Sequence, residues 1–293
     1  MRIALYGKTI LDDCTPSILQ LISRLQANAC GVLIFEPFLR YLRDEKHLSV
    51  DIKEVFADES ELIPGKVDFM MSIGGDGTFL ETVSFVREKG IPVIGLNTGR
   101  LGFLANIGRE DIDLAVRAIL NDEFQLEERS LIQLEGPLRE QFRFPLALNE
   151  FVVQKAGLQM VTVHARVNGE LLNSYLADGL IISTPTGSTA YSMSAGGPIV
   201  MPNAGCFIIS PIAPHNLTMR PIIVPDNSVL EINTESRNPV ILASLDYQSL
   251  EIPANSSIRL CKAPYTLLTV RLKNHTYFET LRNKLMWGAD RRK

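Results

Sequence analysis

Residues 67–78 read Val-Asp-Phe-Met-Met-Ser-Ile-Gly-Gly-Asp-Gly-Thr. The apolar run Val67 to Ile73 suits one buried strand, and it runs straight into glycines. A helical pattern follows from Thr78 to Lys89, and Gly90 and Pro92 then bracket a return to strand over Pro92 to Leu96. Strand, tight turn, helix and strand are the unit of a parallel α/β sheet. The flanks repeat it. Arg2 to Tyr6 reads as a strand ending at Gly7, and Val32 to Phe35 as another. Between them Thr15-Pro16 looks like a helix start, with Ile18, Leu21, Ile22 and Leu25 at helical spacing. Glu110 to Leu120 is the last helix of this half. The expectation is an α/β N-terminal domain, Rossmann-like, with a parallel sheet.

The texture changes after residue 125. Short β-rich runs replace helices: Leu131 to Leu134, Phe151 to Gln154, Met160 to Val167, Leu180 to Thr184, Val229 to Thr234, Val240 to Leu245, Ser257 to Leu260 and Leu267 to Leu272. Asn168-Gly169 between two runs signals a type I′ hairpin. This pattern predicts a β-rich C-terminal domain of antiparallel β-sandwich type over residues 126–274, after an α/β domain over 1–125. Helical periodicity returns at Tyr277 to Met286, and the segment 275–293 is expected to pack back on the first domain.

Composition excludes several classes. The 293 residues carry 29 basic and 33 acidic side chains, a net charge of -4, which argues against a nucleic-acid binder. No apolar run of about 18 residues exists to span a membrane, and the N-terminus lacks the features of a signal peptide. The expected location is cytoplasmic. Cys14, Cys30, Cys206 and Cys261 are too scattered for a CxxC pair and read as reduced core thiols. His47, His164, His215 and His275 form no HExxH or His-x-His arrangement, so a metal held by histidines is not expected.

The chemistry concentrates at glycine-rich turns. Gly74, Gly75 and Gly77 leave backbone N–H groups uncovered at a helix start, an arrangement suited to phosphate. Asp76 among them would repel phosphate unless it contacts a cation or takes up a proton, so it is a candidate general base or magnesium contact. A lone Gly-Asp-Gly is also a common Asx-capped turn. Tyr6-Gly7-Lys8-Thr9 resembles the end of a P-loop, but Arg2 stands where that motif needs glycine. Asn97-Thr98-Gly99-Arg100-Leu101-Gly102-Phe103-Leu104 follows another strand, where ligands bind in open α/β sheets. Asn149-Glu150 sets an amide beside a carboxylate, a pair suited to ribose hydroxyls. Residues 177–198 are rich in hydroxyls and small side chains, with few charges, and read as a pocket lining.

Taken in order, Gly74-Gly75-Asp76-Gly77-Thr78, the Asn97 to Leu104 segment, Asn149-Glu150 and Asp178-Gly179 through Pro198 resemble the motifs of NAD kinases. Pro214-His215 with Arg220-Pro221, and Ser244-Leu245-Asp246 with Gln248, resemble later landmarks of that family. The resemblance implies transfer of a phosphoryl group from ATP to the 2′-hydroxyl of the adenosine ribose of NAD, with Mg²⁺ bound through ATP and no protein ligand set for the metal. It implies a homodimer or homotetramer whose partners are NAD and ATP, not nucleic acid or membrane. It places Asp76 as general base and Gly74, Gly75, Gly77 and Thr78 at the ATP phosphates. NAD contacts implied by the resemblance are Asp76, Gly77, Phe103 as pocket wall, Asn149 and Glu150 at ribose hydroxyls, Asp178, Thr189 and Ala190 at adenine, Tyr191 and Ser194 near the phosphates or second riboside, and Gln248. Leu176 and Met160 depart from basic or polar residues that some members carry there, which bears on NAD versus NADH preference. Two alternatives stand beside this reading: another kinase with a Gly-Gly-Asp-Gly turn, acting on a lipid or sugar phosphate, and a dinucleotide sensor without catalysis.

Overall fold

A computed structural model describes residues 1–99, 102–273 and 276–286. Arg100, Leu101, Asn274, His275 and everything after Met286 lie outside the described residues, and with them part of the 97–104 loop and of the expected 275–293 segment. The chain divides into two units, Met1–Glu127 with Leu267–Lys293, and Glu128–Thr266.

The first unit opens with β1 (Arg2–Gly7), α1 (Thr15–Ala27), β2 (Gly31–Phe35), α2 (Glu36–Arg40), β3 (Glu54–Phe56), β4 (Phe69–Gly74), α3 (Asp76–Val86), β5 (Val93–Asn97), α4 (Ile112–Leu120) and β6 (Phe124–Arg129). The pairs β3–β2, β2–β1, β1–β4 and β4–β5 are all parallel. Every residue of β4 is buried, as a strand covered on both faces requires. Ile18, Leu21, Ile22 and Leu25 of α1 enter the same core as Ile112 and Val116 of α4. The helix α3 begins at Asp76, two residues before the periodicity predicts, because Gly75 already serves as its N-cap. It stops at Val86, where Arg87 turns to a positive φ of 44°. A buried bond from Thr82 Oγ1 to Ser72 Oγ (3.0 Å) ties α3 to β4, and the Phe85 ring lies 4.8 Å from that of Tyr6. Three elements escape the sequence reading: α2, which continues as a π-type turn over Tyr41–Glu45, the three-residue β3, and β6.

The second unit holds β7 (Ile132–Glu135), β8 (Leu146–Ala147), β9 (Glu150–Lys155), β10 (Val161–Val167), β11 (Glu170–Ala177), β12 (Gly179–Ser183), the short α5 (Tyr191–Ser194), β13 (Cys206–Ile212), β14 (Ile222–Pro225), β15 (Leu230–Glu235), β16 (Val240–Leu245), β17 (Gln248–Pro253) and β18 (Ser257–Lys262). Two six-stranded sheets form, ordered β11-β10-β15-β18-β7-β8 and β14-β13-β12-β9-β16-β17, and their neighbouring strands pair antiparallel. Val163 and Ile232 from one sheet and Val153 and Ile241 from the other share one core, the mark of a sandwich. Asn168 and Gly169 both have positive φ, as a type I′ turn between β10 and β11 needs. Five strands carry weak signals in the sequence: β8, β11, β14 and β17 lie at sheet edges, and β13 contains Pro211.

The chain then returns to the first unit with β19 (Leu267–Leu272) and α6 (Tyr277–Leu285). Here the sequence reading needs correction. It groups Leu267 to Leu272 with the β-rich half, whereas Thr269 of β19 pairs in parallel with Val93 of β5. A short apolar run fits either kind of sheet, and only its pairing partner distinguishes them. The completed sheet runs β3-β2-β1-β4-β5-β19-β6. From β1 the order steps one way to β2 and β3 and the other way to β4 and β5. A topological switch point therefore lies between β1 and β4, where open α/β sheets bind ligands. Helix α6 is capped by Thr276, whose Oγ1 accepts from the Glu279 amide (3.2 Å), and is anchored by buried Leu281.

Candidate active site

At the switch point β4 ends on Gly74 and α3 starts on Asp76. Gly75 and Gly77 face open space, with no atom within 4 Å of where a Cβ would stand. A small cavity of about 200 Å³ opens there, lined by residues 9–11 after β1, Gly75 after β4 and residues 97–99 after β5. Bare amides at the start of an 11-residue helix, beside a cavity at strand carboxyl ends, can take an anion. Lys8 contributes elsewhere: it pairs with Glu81 on α3 (2.7 Å), as does the Tyr6 hydroxyl (2.8 Å).

Asp76 does not float in this turn. Its Oδ1 accepts from the amides of Leu104 (3.0 Å) and Ala105 (2.9 Å), and its Oδ2 from the amide of Phe103 (3.0 Å). The Lys284 ammonium of α6 approaches Oδ2 to 3.5 Å. Buried Asn97 shapes the loop that supplies the amides: Oδ1 accepts from Gly99 N (2.7 Å) and Nδ2 donates to Ala105 O (3.2 Å). Gly102 is required by contact, since a Cβ there would collide with the Asp76 carboxylate. Gly102 therefore admits a carboxylate, rather than serving only a turn.

In the second unit Asn149 and Glu150 sit at the start of β9. The turn residue Asp246 (φ 49°) reaches back so that its carboxylate accepts from Leu148 (2.7 Å), Asn149 (2.9 Å) and Glu150 (3.0 Å) amides. Asp246 is half-buried as a residue, and its carboxyl is enclosed. Burial pushes that carboxyl up to about 6 against the three amides, which favour its anion. Glu150 is pushed further, to about 8, first by burial and then by the charge of Asp246, with the Tyr191 amide opposing. Glu150 is therefore an acid that stays protonated near neutral pH. Its buried Oε2 has no partner, so a donor–acceptor group from a ligand is what this atom lacks.

The hydroxyl-rich segment packs beside Asn149. Thr184 N donates to Asn149 O (2.9 Å), Thr184 Oγ1 donates to Leu148 O (2.5 Å), and Gly187 lies so close to the Asn149 main chain that a Cβ would overlap it. Ser188 Oγ is tied to Val200, and Ser192 Oγ to Ser210 Oγ, so these hydroxyls brace the loop. Thr189 Oγ1 bonds Thr186 O (3.3 Å) and Ala190 N bonds Gly187 O (2.9 Å), while Tyr191 and Ser194 are exposed. Asp178 pairs with Lys155 (2.6 Å). The Gln248 side chain turns inward: Nε2 donates to Phe144 O (2.7 Å) and Oε1 accepts from Phe144 N (3.2 Å). The structure thus brings Asn149, Glu150 and Tyr191 together, and gives Asp178 and Gln248 protein partners. Sequence reasoning missed Ala105, Lys155 and Lys284, and named Asp246 only as a landmark. Asp246-Tyr247 between two alternating runs was the available signal, a hairpin turn with a carboxylate.

Two family models match the chain, the ATP-NAD kinase N-terminal domain over residues 28–124 and the ATP-NAD kinase C-terminal domain over residues 148–272. An NAD kinase of Cytophaga hutchinsonii is 43% identical over 293 residues, covering 100% of both chains. Among solved structures, an NAD kinase from Archaeoglobus fulgidus in complex with ATP matches with a TM-score of 0.74 at 26% identity, over 98% of this chain and 99% of that one. Yeast NADH kinase complexed with NADH reaches a TM-score of 0.86 over 99% of this chain and 89% of that one, and at 20% identity speaks for the fold alone. With both domains matched and a full-length relative at this identity, the chain belongs to the ATP-NAD kinase family.

Proposed function

We propose that the chain transfers the terminal phosphoryl group of ATP to the 2′-hydroxyl of the adenosine ribose of NAD, with Asp76 as general base. The observation that carries the reading is the Asp76 carboxylate, aimed by three amides at the head of α3 beside bare Gly75 and Gly77. Phosphoryl transfer needs chiefly positioning and charge neutralisation. The amides at Gly74, Gly75 and Gly77 and the Thr78 hydroxyl hold the ATP phosphates. Asp76 takes the 2′-hydroxyl proton as the oxygen bonds to the terminal phosphorus. The bond from that phosphorus to its bridging oxygen breaks, and ADP leaves. Among the described residues no group of three or more His, Cys, Asp or Glu could hold a metal ion. A magnesium ion brought by ATP would supply charge neutralisation at its phosphates.

The NAD contacts in this reading are Phe103, Asn149, Glu150, Asp178, Thr189, Ala190, Tyr191, Ser194 and Gln248. Protonated Glu150 can donate to a ribose oxygen, which suits a polyanionic ligand better than a second anion. Asp178 and Gln248 act through main-chain groups or after exchanging their present partners. A homo-oligomer in the cytoplasm completes the proposal, on the family resemblance. The test is to incubate the protein with Mg-ATP and NAD and assay NADP with an NADP-specific dehydrogenase. Parallel arms with a sphingoid or glycerolipid and with a fructose phosphate address the other Gly-Gly-Asp-Gly kinases. NAD binding by calorimetry without NADP formation would establish a sensor instead.

A further inference from the structure

Lys284 lies on α6, more than two hundred positions from Asp76 in sequence, yet its ammonium stands 3.5 Å from Asp76 Oδ2. The same Nζ lies 4.6 Å from the centroid of the Phe103 ring, a cation–π distance. The placement follows from α6 itself. Leu281 and Thr280 are its buried residues, and Lys284, three and four positions on, falls on their face. Lys284 is thus directed at Asp76 by the anchoring of its own helix.

A carboxylate offers about four lone-pair sites. On Asp76 three are filled by the amides of Phe103, Leu104 and Ala105, at 2.9 to 3.0 Å. These belong to a loop pinned by Asn97 and cannot leave singly. The fourth is taken by Lys284, at the longest of the four distances and through the only side chain among these donors. A general base must have a free lone pair for the hydroxyl it deprotonates. We infer that Lys284 is a positioning residue that holds the fourth site of Asp76 and yields it to the acceptor hydroxyl. Until then it keeps the carboxylate neutralised and turned into the amide nest. The inference rests on the proposed role of Asp76. The Phe103 ring lies against the same ammonium on the exposed side of the contact, so the cation–π contact can persist when Lys284 releases Asp76.

The decisive comparison is Lys284→Met, which keeps the long stem over Phe103 and removes the competing charge, with Lys284→Arg as the charge-restoring variant. Initial rates are measured with Mg-ATP across a range of NAD concentrations. The expected result for Lys284→Met is a three- to tenfold lower KM for NAD with ATP KM unmoved, and Lys284→Arg reversing that fall. An NAD KM that stays or rises, or a fall in kcat alone, overturns the inference and leaves Lys284 as an anchor for α6. Thermal melts of both variants check that α6 remains docked. If the parent protein makes no NADP, the functional reading itself fails; if the parent is active and Lys284→Met matches its NAD KM, only the inference fails.

Discussion

Asp246 holds the main chain of Glu150 in place (amide to Oδ1, 3.0 Å) while its charge disfavours ionisation of the Glu150 side chain. Burial does most to keep Glu150 protonated, and the carboxylate that positions it adds its charge to that effect.

This pair makes stability depend on pH. Both carboxyls have folded values above their ordinary ones, Glu150 at about 8 against 4.5 and Asp246 at about 6 against 3.8. The folded state therefore binds more protons than the unfolded one, and stability falls as pH rises from about 4 towards 8, then levels off. Glu150→Gln removes the larger contribution. Urea unfolding at pH 5 and pH 9 should show the variant gaining on the parent at pH 9, by on the order of 1–3 kcal/mol. An identical pH slope in both proteins would refute the assignment.

Asp76→Asn keeps the shape of the side chain and removes the proton acceptor. Turnover should drop by roughly 10²–10⁴-fold, while calorimetry still detects NAD binding. Near-parent turnover would exclude Asp76 as the base.

Gly102→Ala introduces a methyl group where the Asp76 carboxylate lies. The overlap should destabilise the first unit by about 1–3 kcal/mol and reduce turnover. Its effect on turnover should vanish when Asp76 is already Asn, because both changes act through one group. Full additivity in the double variant would show that Gly102 acts by another route.

Gly187→Ala drives a methyl group into the Asn149 main chain. A lower melting temperature and at least tenfold weaker NAD binding are expected, since Asn149 and Glu150 must shift together. Unchanged affinity on calorimetric titration would remove these two residues from the NAD site.

The sequence disclosed the α/β half because its strands are continuous apolar runs and its helices are strongly periodic. It disclosed the turn at Asp76 because three glycines in four positions have few other uses. It did not disclose α2, since Pro37 and a five-residue length leave no period to read. Nor could it assign Leu267–Leu272 to the first unit, because pairing with β5 is a property of space and not of composition. The same limit hid Lys284. A lysine on an exposed amphipathic helix looks like solvated charge until the fold sets it beside a carboxylate. In the motifs, residue identity was legible and partnership was not: Asn97 braces the amide loop, Gly102 yields to Asp76, and Gln248 faces Phe144.

The return of β19 bears on how the chain is made. During synthesis β5 emerges early, but the strand that covers its outer edge lies beyond the whole second unit. β6 likewise waits for β19, its neighbour in the sheet. Ile107 bonds the Gly95–Asn97 end of that edge, but the nascent first unit passes through a stage in which the edge at Val93 still lacks its partner, a form open to wrong pairing. Meanwhile the second unit has its own core and a continuous stretch of chain, Glu128–Thr266, from which to build it. Its ends are close, with Thr266 Oγ1 at 3.3 Å from Glu128 Oε2. Folding of that unit would deliver β19 near the point where the chain left the first sheet. The order of assembly is then inside first and outside last: the inserted unit closes before the sheet that carries Asp76 is complete.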